Sequence, residues 1–213
     1  MRADQLIDLE HGLSPERLAP YRRACHDDLA AAIELYRWNT ELSAALSATL
    51  GHVEVRLRNA LHQELTSWSA LRHGEPRWFL DPGGTFFPPE LHDIAKARRR
   101  ATRDGRPETP GQVIAELNLG FWKYLLARRY DRGLWHPCLH RAFPRQPRSP
   151  VFAAVDQVHL TRNRIAHHEP MFDRPALALR DTALRVVEWI CPVTREWIEA
   201  DCRVPEVLAA RPH

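Results

Sequence analysis

The sequence predicts an all-α fold: a helical bundle with one long N-terminal helix and peripheral helices and loops. Three observations carry this reading. Apolar residues recur at spacings of three and four in nearly every segment, the period of an amphipathic helix. No segment alternates apolar and polar residues as a half-buried strand would. There is no internal repeat and no low-complexity block, and prolines and glycines concentrate in residues 73–89.

Taken in order, Ser14-Pro15-Glu16 reads as a cap with proline at the first helical position, opening a short helix to about residue 23. From Asp27 or Asp28 to about Trp68, one long pattern is carried by Leu29, Ile33, Tyr36, Leu42, Leu46, Leu50, Val53, Leu57, Leu61 and Leu65. Gly51 is its weak point, so the segment is one helix or two joined at a bend. Residues 73–89 hold Gly74, Pro76, Pro82, Gly83, Gly84, Pro88 and Pro89 and read as a loop, anchored by Trp78, Phe79, Phe86 and Phe87. The next helix, about 89–103, ends in Lys96, Arg98, Arg99, Arg100 and Arg103. Cations suit a helix C-terminus through the macrodipole; a patch for RNA backbone is the other reading.

Helical stretches follow at about 111–117 and 120–130, the second opening on Gly120-Phe121-Trp122. Residues 134–143 look amphipathic, and 143–150 form a linker rich in proline and arginine. A helix is expected from about 151 to 168, stopped by Pro170. After Asp173-Arg174-Pro175 comes the last main helix, about 175–191, with Leu177, Leu184, Val187 and Trp189; the tail adds one or two short turns. The expectation is a single domain over 1–213, with its core at about 18–191 and a C-terminal extension at 192–213.

A chain of 213 residues with 44% hydrophobic content can bury one well-packed core. The net charge of +3 permits a polyanionic partner without requiring one. Only Lys96 and Lys123 among the 30 basic residues are lysines; a coding bias accounts for that, yet arginine is also the better residue for forked phosphate contacts. Cys25, Cys138, Cys191 and Cys202 are scattered, with no Cys-x-x-Cys spacing. They read as reduced thiols of a cytoplasmic protein, not as a disulfide frame or zinc site. The N-terminus lacks an apolar signal core and no apolar run approaches a membrane span, so no membrane partner is expected.

The densest chemistry lies in Arg162-Asn163-Arg164-Ile165-Ala166-His167-His168-Glu169-Pro170. At about 100° per residue, Val151, Val155, Val158 and Ile165 share one apolar face, and Arg162 falls in its middle. A guanidinium there must be paired or must point into a cleft that an anion enters. Asn163 and His167 share a neighbouring stripe, with Asp156 further up. On the earlier long helix, Glu54 falls inside the core face, and Arg58 and His62 follow at four-residue steps. We expect Glu54, Arg58 and Arg162 to meet across the helix pair, with Asn59 and Asn163 nearby. The alternative is a buried Glu54–Arg162 ion pair that fixes the register, whose loss would cost several kcal/mol; the two are compatible.

Metal hydrolysis of the zincin type needs His-Glu-x-x-His, and the residue three past Glu169 is Phe172; no protein-built metal centre and no cofactor is expected. A serine nucleophile elbow, a phosphate-cradling glycine loop and a dinucleotide fingerprint are absent as well. Metal-free phosphoryl chemistry remains. RNA carries its own nucleophile, the 2′-hydroxyl, and cleavage needs a base near neutral pKa, an acid and a cation. Histidine suits the proton work and arginine the phosphate. Asn163 is placed to orient the imidazole or touch the phosphate.

These residues carry a resemblance. Arg162-Asn163-x-x-x-His167 resembles the Arg-x(4–6)-His motif of HEPN domains, and the stretch from Arg162 to Pro170 is similar to the signature of Abi-like (abortive infection) proteins. Tyr36-Arg-Trp38-Asn39, Glu54-Val-Arg-Leu-Arg58-Asn59 and Gly120-Phe121-Trp122 match further elements of that family in order, over about residues 18–190. The resemblance implies a HEPN-like bundle, a homodimer with facing motifs, and a metal-independent endoribonuclease acting as a phage-defence toxin on RNA. It implies Arg162 and His167 as the catalytic pair with Asn163 assisting; from our reading of the two helices, Glu54, Arg58, Asn59, Arg164, His168 and Glu169 are expected as supporting or substrate-binding groups. Toxins of this kind silenced by a nucleotidyltransferase often have tyrosine two residues after the histidine; here that residue is Glu169. An antitoxin, protein or RNA, thus stays open in type. The other readings are an RNA- or nucleotide-binding module without catalysis, and a helical adaptor.

Overall fold

A computed structural model describes residues 1–212, and the fold is all-α. Among the described residues there are ten α-helices and no strand: α1 (Ala3–Leu13), α2 (Pro15–Ala24), α3 (Leu29–His73), α4 (Pro88–Ala101), α5 (Pro110–Ala115), α6 (Leu119–Leu125), α7 (Arg148–Ala166), α8 (Ala176–Ile190), α9 (Pro192–Ala200) and α10 (Val204–Ala209). Among the described residues, no helix is long and apolar enough to cross a membrane.

The long pattern is one helix. Asp28 caps α3 by accepting from the Ala31 N–H at 3.1 Å, and Gly74 ends it in the left-handed conformation at φ 71°, the usual helix stop. Gly51 sits inside, exposed, with no bend needed. At 45 residues the helix runs about 67 Å, and two cores share it. One gathers Leu50, Val53, Leu57, Leu61 and Leu65 against the loop aromatics and α4 to α8. The other gathers Ala32, Leu35, Trp38, Leu42 and Leu46 with Tyr21, Met171, Val204 and Val207. Ile165 packs against both, which puts the end of α7 where the two cores meet.

Several elements differ from the sequence-based expectation. α1 precedes the first expected helix; its Leu6, Leu9 and Leu13 recur at helical spacing, but none of its residues is buried, and Arg22 ties it down through Glu10 at 2.6 Å. Residues 134–143 form no continuous amphipathic helix. They fold as a π turn at Asp131–Trp135 and a 3-10 turn at Leu139–Ala142. Pro137 lies between them and has no N–H to continue a ladder. The stretch after α6 likewise breaks into a 3-10 turn at Arg128–Tyr130, whose tyrosine hydroxyl donates to the buried Glu90 carboxylate at 2.7 Å. The tail forms two helices, α9 and α10, in place of short turns. In the loop, Trp78, Phe79 and Phe86 are buried as anchors, while Phe87 is exposed beneath Arg129. The basic end of α4 is partly neutralised, with Arg98 on Glu108 at 2.7 Å and Arg100 facing Glu116 at 3.9 Å.

Gly51 offers a direct check of the unbroken helix. A Cβ built there meets nothing within 4 Å, so Gly51→Ala restricts the unfolded chain and favours the helix without a clash. Stability should rise by about 0.5–1 kcal/mol in urea denaturation; a loss would mean that α3 bends at this residue.

Candidate functional site

The end of α7 closes on itself through the backbone. The Asn163 carbonyl accepts from the His167 N–H at 2.9 Å, the Ile165 carbonyl from His168 at 3.0 Å, and the Arg164 carbonyl from Glu169 at 2.9 Å. His168 stands at φ 55°. This is the Schellman arrangement, with a left-handed residue just past the cap and a 6→1 bond behind it. The helix therefore ends at Ala166, two residues earlier than expected, and His167 is its cap. Arg164 and Glu169 pair across the turn at 3.1 Å, both exposed, and so brace the turn from outside.

Distant residues hold this turn in place. The Met171 N–H donates to Asn39 Oδ1 at 2.7 Å in a buried setting, and the Arg17 guanidinium donates to the His168 carbonyl. Phe172 packs on Tyr21 at 5.0 Å, and Tyr21 on Tyr36 at 5.2 Å. Trp38 donates its indole N–H to the Val207 carbonyl at 2.7 Å. The Tyr36-Arg-Trp38-Asn39 element is thus the bracket for the loop that follows the motif.

Arg162 sits differently from the helical-wheel expectation. The packed stripe of α7 is Val151, Ala154, Val155, Val158 and Thr161. Thr161 is its last buried residue, the hydroxyl bonded back to the Gln157 carbonyl at 2.8 Å, and half-buried Ile165 packs on the cores beyond it. Arg162 Nε lies 4.0 Å from Glu54 Oε2, with side-chain exposures of 49% and 23%. The pair forms as expected, but it is not a buried charge pair. Arg58, one turn along α3 from Glu54, has no carboxylate within ion-pairing distance among the described residues, and its buried Nε has no hydrogen-bond partner. Asn59 is exposed and makes no side-chain hydrogen bond to Asn163. His62 belongs to the core: its Nδ1 accepts from the Trp78 indole at 3.0 Å, and burial lowers its pKa.

Asn163 turns toward His159, not His167. Its amide lies 3.2 Å from His159 Nε2, and the exposed His167 ring has no hydrogen-bond partner among the described residues. His159 Nδ1 is 3.4 Å from Lys123 Nζ, which donates to Asp156 Oδ1 at 3.0 Å. Lys123 is buried, its side chain 8% exposed, and its ammonium lies 4.5 Å from the Tyr124 ring centre. Burial first, then the Lys123 charge, lowers the pKa of His159. Gly120 makes room for this cluster, since a Cβ there would stand 3.2 Å from His159 Nε2 and 3.1 Å from Asn118 Oδ1.

Sequence reasoning missed His159 as the partner of Asn163, and Lys123 as the partner of His159 and Asp156. The available signal was one of two lysines in the chain standing inside the apolar run Phe121-Trp122-Lys123-Tyr124, with Asp156, His159 and Asn163 on one stripe of α7. No three His, Cys, Asp or Glu side chains gather to hold a metal ion among the described residues.

Compared with known proteins, the chain matches no family model, no curated protein and no solved structure.

Two stability predictions follow from this geometry. An ion pair exposed to this extent contributes about 0–1 kcal/mol, so Arg162→Ala should leave the thermal midpoint nearly unchanged; a loss of several kcal/mol would restore the buried-pair reading. His168→Gly, at a left-handed position that penalises a Cβ, should stabilise by up to about 1 kcal/mol in chemical denaturation, whereas a loss there would mean that the imidazole itself holds the turn.

Proposed function

We propose that this protein is a metal-independent endoribonuclease of the phage-defence toxin type, acting as a homodimer in the cytoplasm. The observation that carries the reading is the presentation of Arg162. Its guanidinium lies half in solvent at an open edge between α3 and α7, with one loosely held carboxylate and with Arg58 unpaired one turn along α3. A half-exposed arginine held by one loose carboxylate, with a second arginine one turn along α3, suits a phosphodiester. His167 stands exposed at the same helix end, on a turn braced from α2 and α3. The resemblance of Arg162-Asn163-x-x-x-His167 to the HEPN motif points the same way.

In this reading an imidazole takes the proton of the 2′-hydroxyl, whose oxygen attacks phosphorus. Arg162 stabilises the charge on the phosphorane, and the 5′-oxygen leaves with a proton. The products are a 2′,3′-cyclic phosphate and a 5′-hydroxyl. Arg162 and His167 point about 140° apart on an ideal helix, so one motif does not wrap one phosphate. A two-fold axis brings His167 of one chain to Arg162 of the other, so each composite site holds one imidazole and one guanidinium, and solvent protonates the leaving 5′-oxygen. Glu54, Asn59, Arg164, His168 and Glu169 then support the site or line the RNA path. One observation favours binding without cleavage: the His167 ring lacks an orienting partner among the described residues.

The test is incubation of purified protein with mixed RNA in EDTA. Cleavage to 2′,3′-cyclic ends is expected, with His167→Ala and Arg162→Ala each reducing the rate at least about 100-fold and His168→Ala doing less. Mixing the two inactive variants should restore part of the activity through heterodimers. RNA retention without cleavage by the wild type would favour the binding module, and equal loss at both histidines would remove the assignment of His167.

A further inference from the structure

The cluster behind Asn163 decides which way its amide faces. An ammonium donates and cannot accept. Lys123 Nζ, at 3.4 Å, is the only hydrogen-bond neighbour of His159 Nδ1 among the described residues, so that nitrogen must carry a lone pair. The neutral imidazole then holds its proton on Nε2. That proton points at the Asn163 amide, whose Nδ2 lies 3.2 Å away; a nitrogen there would set donor against donor, so an oxygen is needed. An amide's oxygen and nitrogen exchange places by a half-turn about the terminal bond, and hydrogen bonding selects between them. The carbonyl therefore faces inward to His159, and the NH2 faces away from it.

The geometry points to a donor relay: Lys123 fixes the His159 tautomer, His159 fixes the Asn163 amide, and the Asn163 NH2 is presented beside Arg162 as an oriented donor to a phosphate oxygen. Its ligand-facing half rests on the nuclease reading above. Lys123 and His159 are positioning residues in this scheme, since neither needs to touch the ligand. The charged groups facing His159 are Lys123 from α6 and Asp156 and Arg162 from α7. Asp156 holds Lys123 Nζ at 3.0 Å, and the burial of Lys123 keeps water from taking the place of the ammonium. Gly120 keeps α6 close enough for this contact.

The tautomer is read directly by long-range proton–nitrogen correlation on the labelled full-length protein, with His159→Gln assigning the signal. His159 should show a proton on Nε2 and an unprotonated Nδ1. Lys123→Arg, still a pure donor, should keep that pattern, and Lys123→Met should give mixed tautomers. Titration with a 2′-O-methyl RNA oligonucleotide, which cannot be cleaved, should shift the Asn163 side-chain NH2 signals. Asn163→Asp accepts from Nε2–H as before but loses the outward donor. It should keep the His159 tautomer and weaken binding about tenfold or more. A proton on Nδ1 in the wild type, or Asn163 NH2 signals that do not move at saturation, overturns the relay. Wild-type protein that binds the oligonucleotide this way but never cuts RNA removes the nuclease reading and leaves the relay standing.

Discussion

The molecule depends on covering one stripe along a 45-residue helix. An isolated helix gains little from its own hydrogen bonds in water and is held mostly by packing of its apolar face. Each leucine removed from water adds roughly 1.5–3 kcal/mol, so the stripe of α3 must be covered along its length. No single neighbour is long enough. α2 and α10, with Met171, cover the first half, and the loop aromatics with α4 to α8 cover the second. The break between the two coverings falls at the end of α7, where Ile165 touches both cores. The candidate site lies at that seam, where packing against α3 gives way to solvent.

A helix that stops at a seam leaves carbonyls to satisfy, and α7 does so within its own sequence. The turn at His167 to Glu169 pairs three of them, and Pro170 brings no further donor. The position of that turn is set from far along the chain. Asn39 lies 132 residues before Met171, and Arg17 lies 151 residues before His168. Between them they fix where the His167 side chain begins, so the geometry of the motif depends on residues outside it.

Two ion pairs around α7 show how burial assigns different work to similar chemistry. Arg162 and Glu54 meet at 4.0 Å with the arginine half exposed. Such a pair is weak and salt-sensitive, and its arginine can turn to a ligand at small cost. Lys123 and Asp156 meet at 3.0 Å with the lysine buried. Breaking that pair leaves a charge with no solvent to receive it. The exposed pair is suited to exchange partners, and the buried one to hold His159 and, through it, Asn163.

What the sequence determined by itself were the features written in local periodicity and local backbone chemistry. Leucines at helical spacing from Leu29 to Leu65 and the start at Asp28 depend only on residues a turn apart; the helix itself runs on to His73, past the end expected near Trp68. The all-α class, the long helix, the aromatic loop and the position of the motif helix were legible for that reason. Tertiary structure decided whatever depended on how far a neighbouring helix reaches. The helical wheel puts Arg162 on the packed face, yet its side chain is half exposed beside Glu54 while Thr161 before it and Ile165 after it pack inward. No wheel contains the position of a neighbouring helix. Asn163 shares a stripe with His167, yet its amide lies against His159, and Lys123, 36 residues before that histidine, is brought against the other ring nitrogen. Residues 134–143 keep an amphipathic pattern but cannot complete a ladder across Pro137. Periodicity records which side of an element is apolar, and only the assembled fold records where its covering ends and which distant donor arrives there.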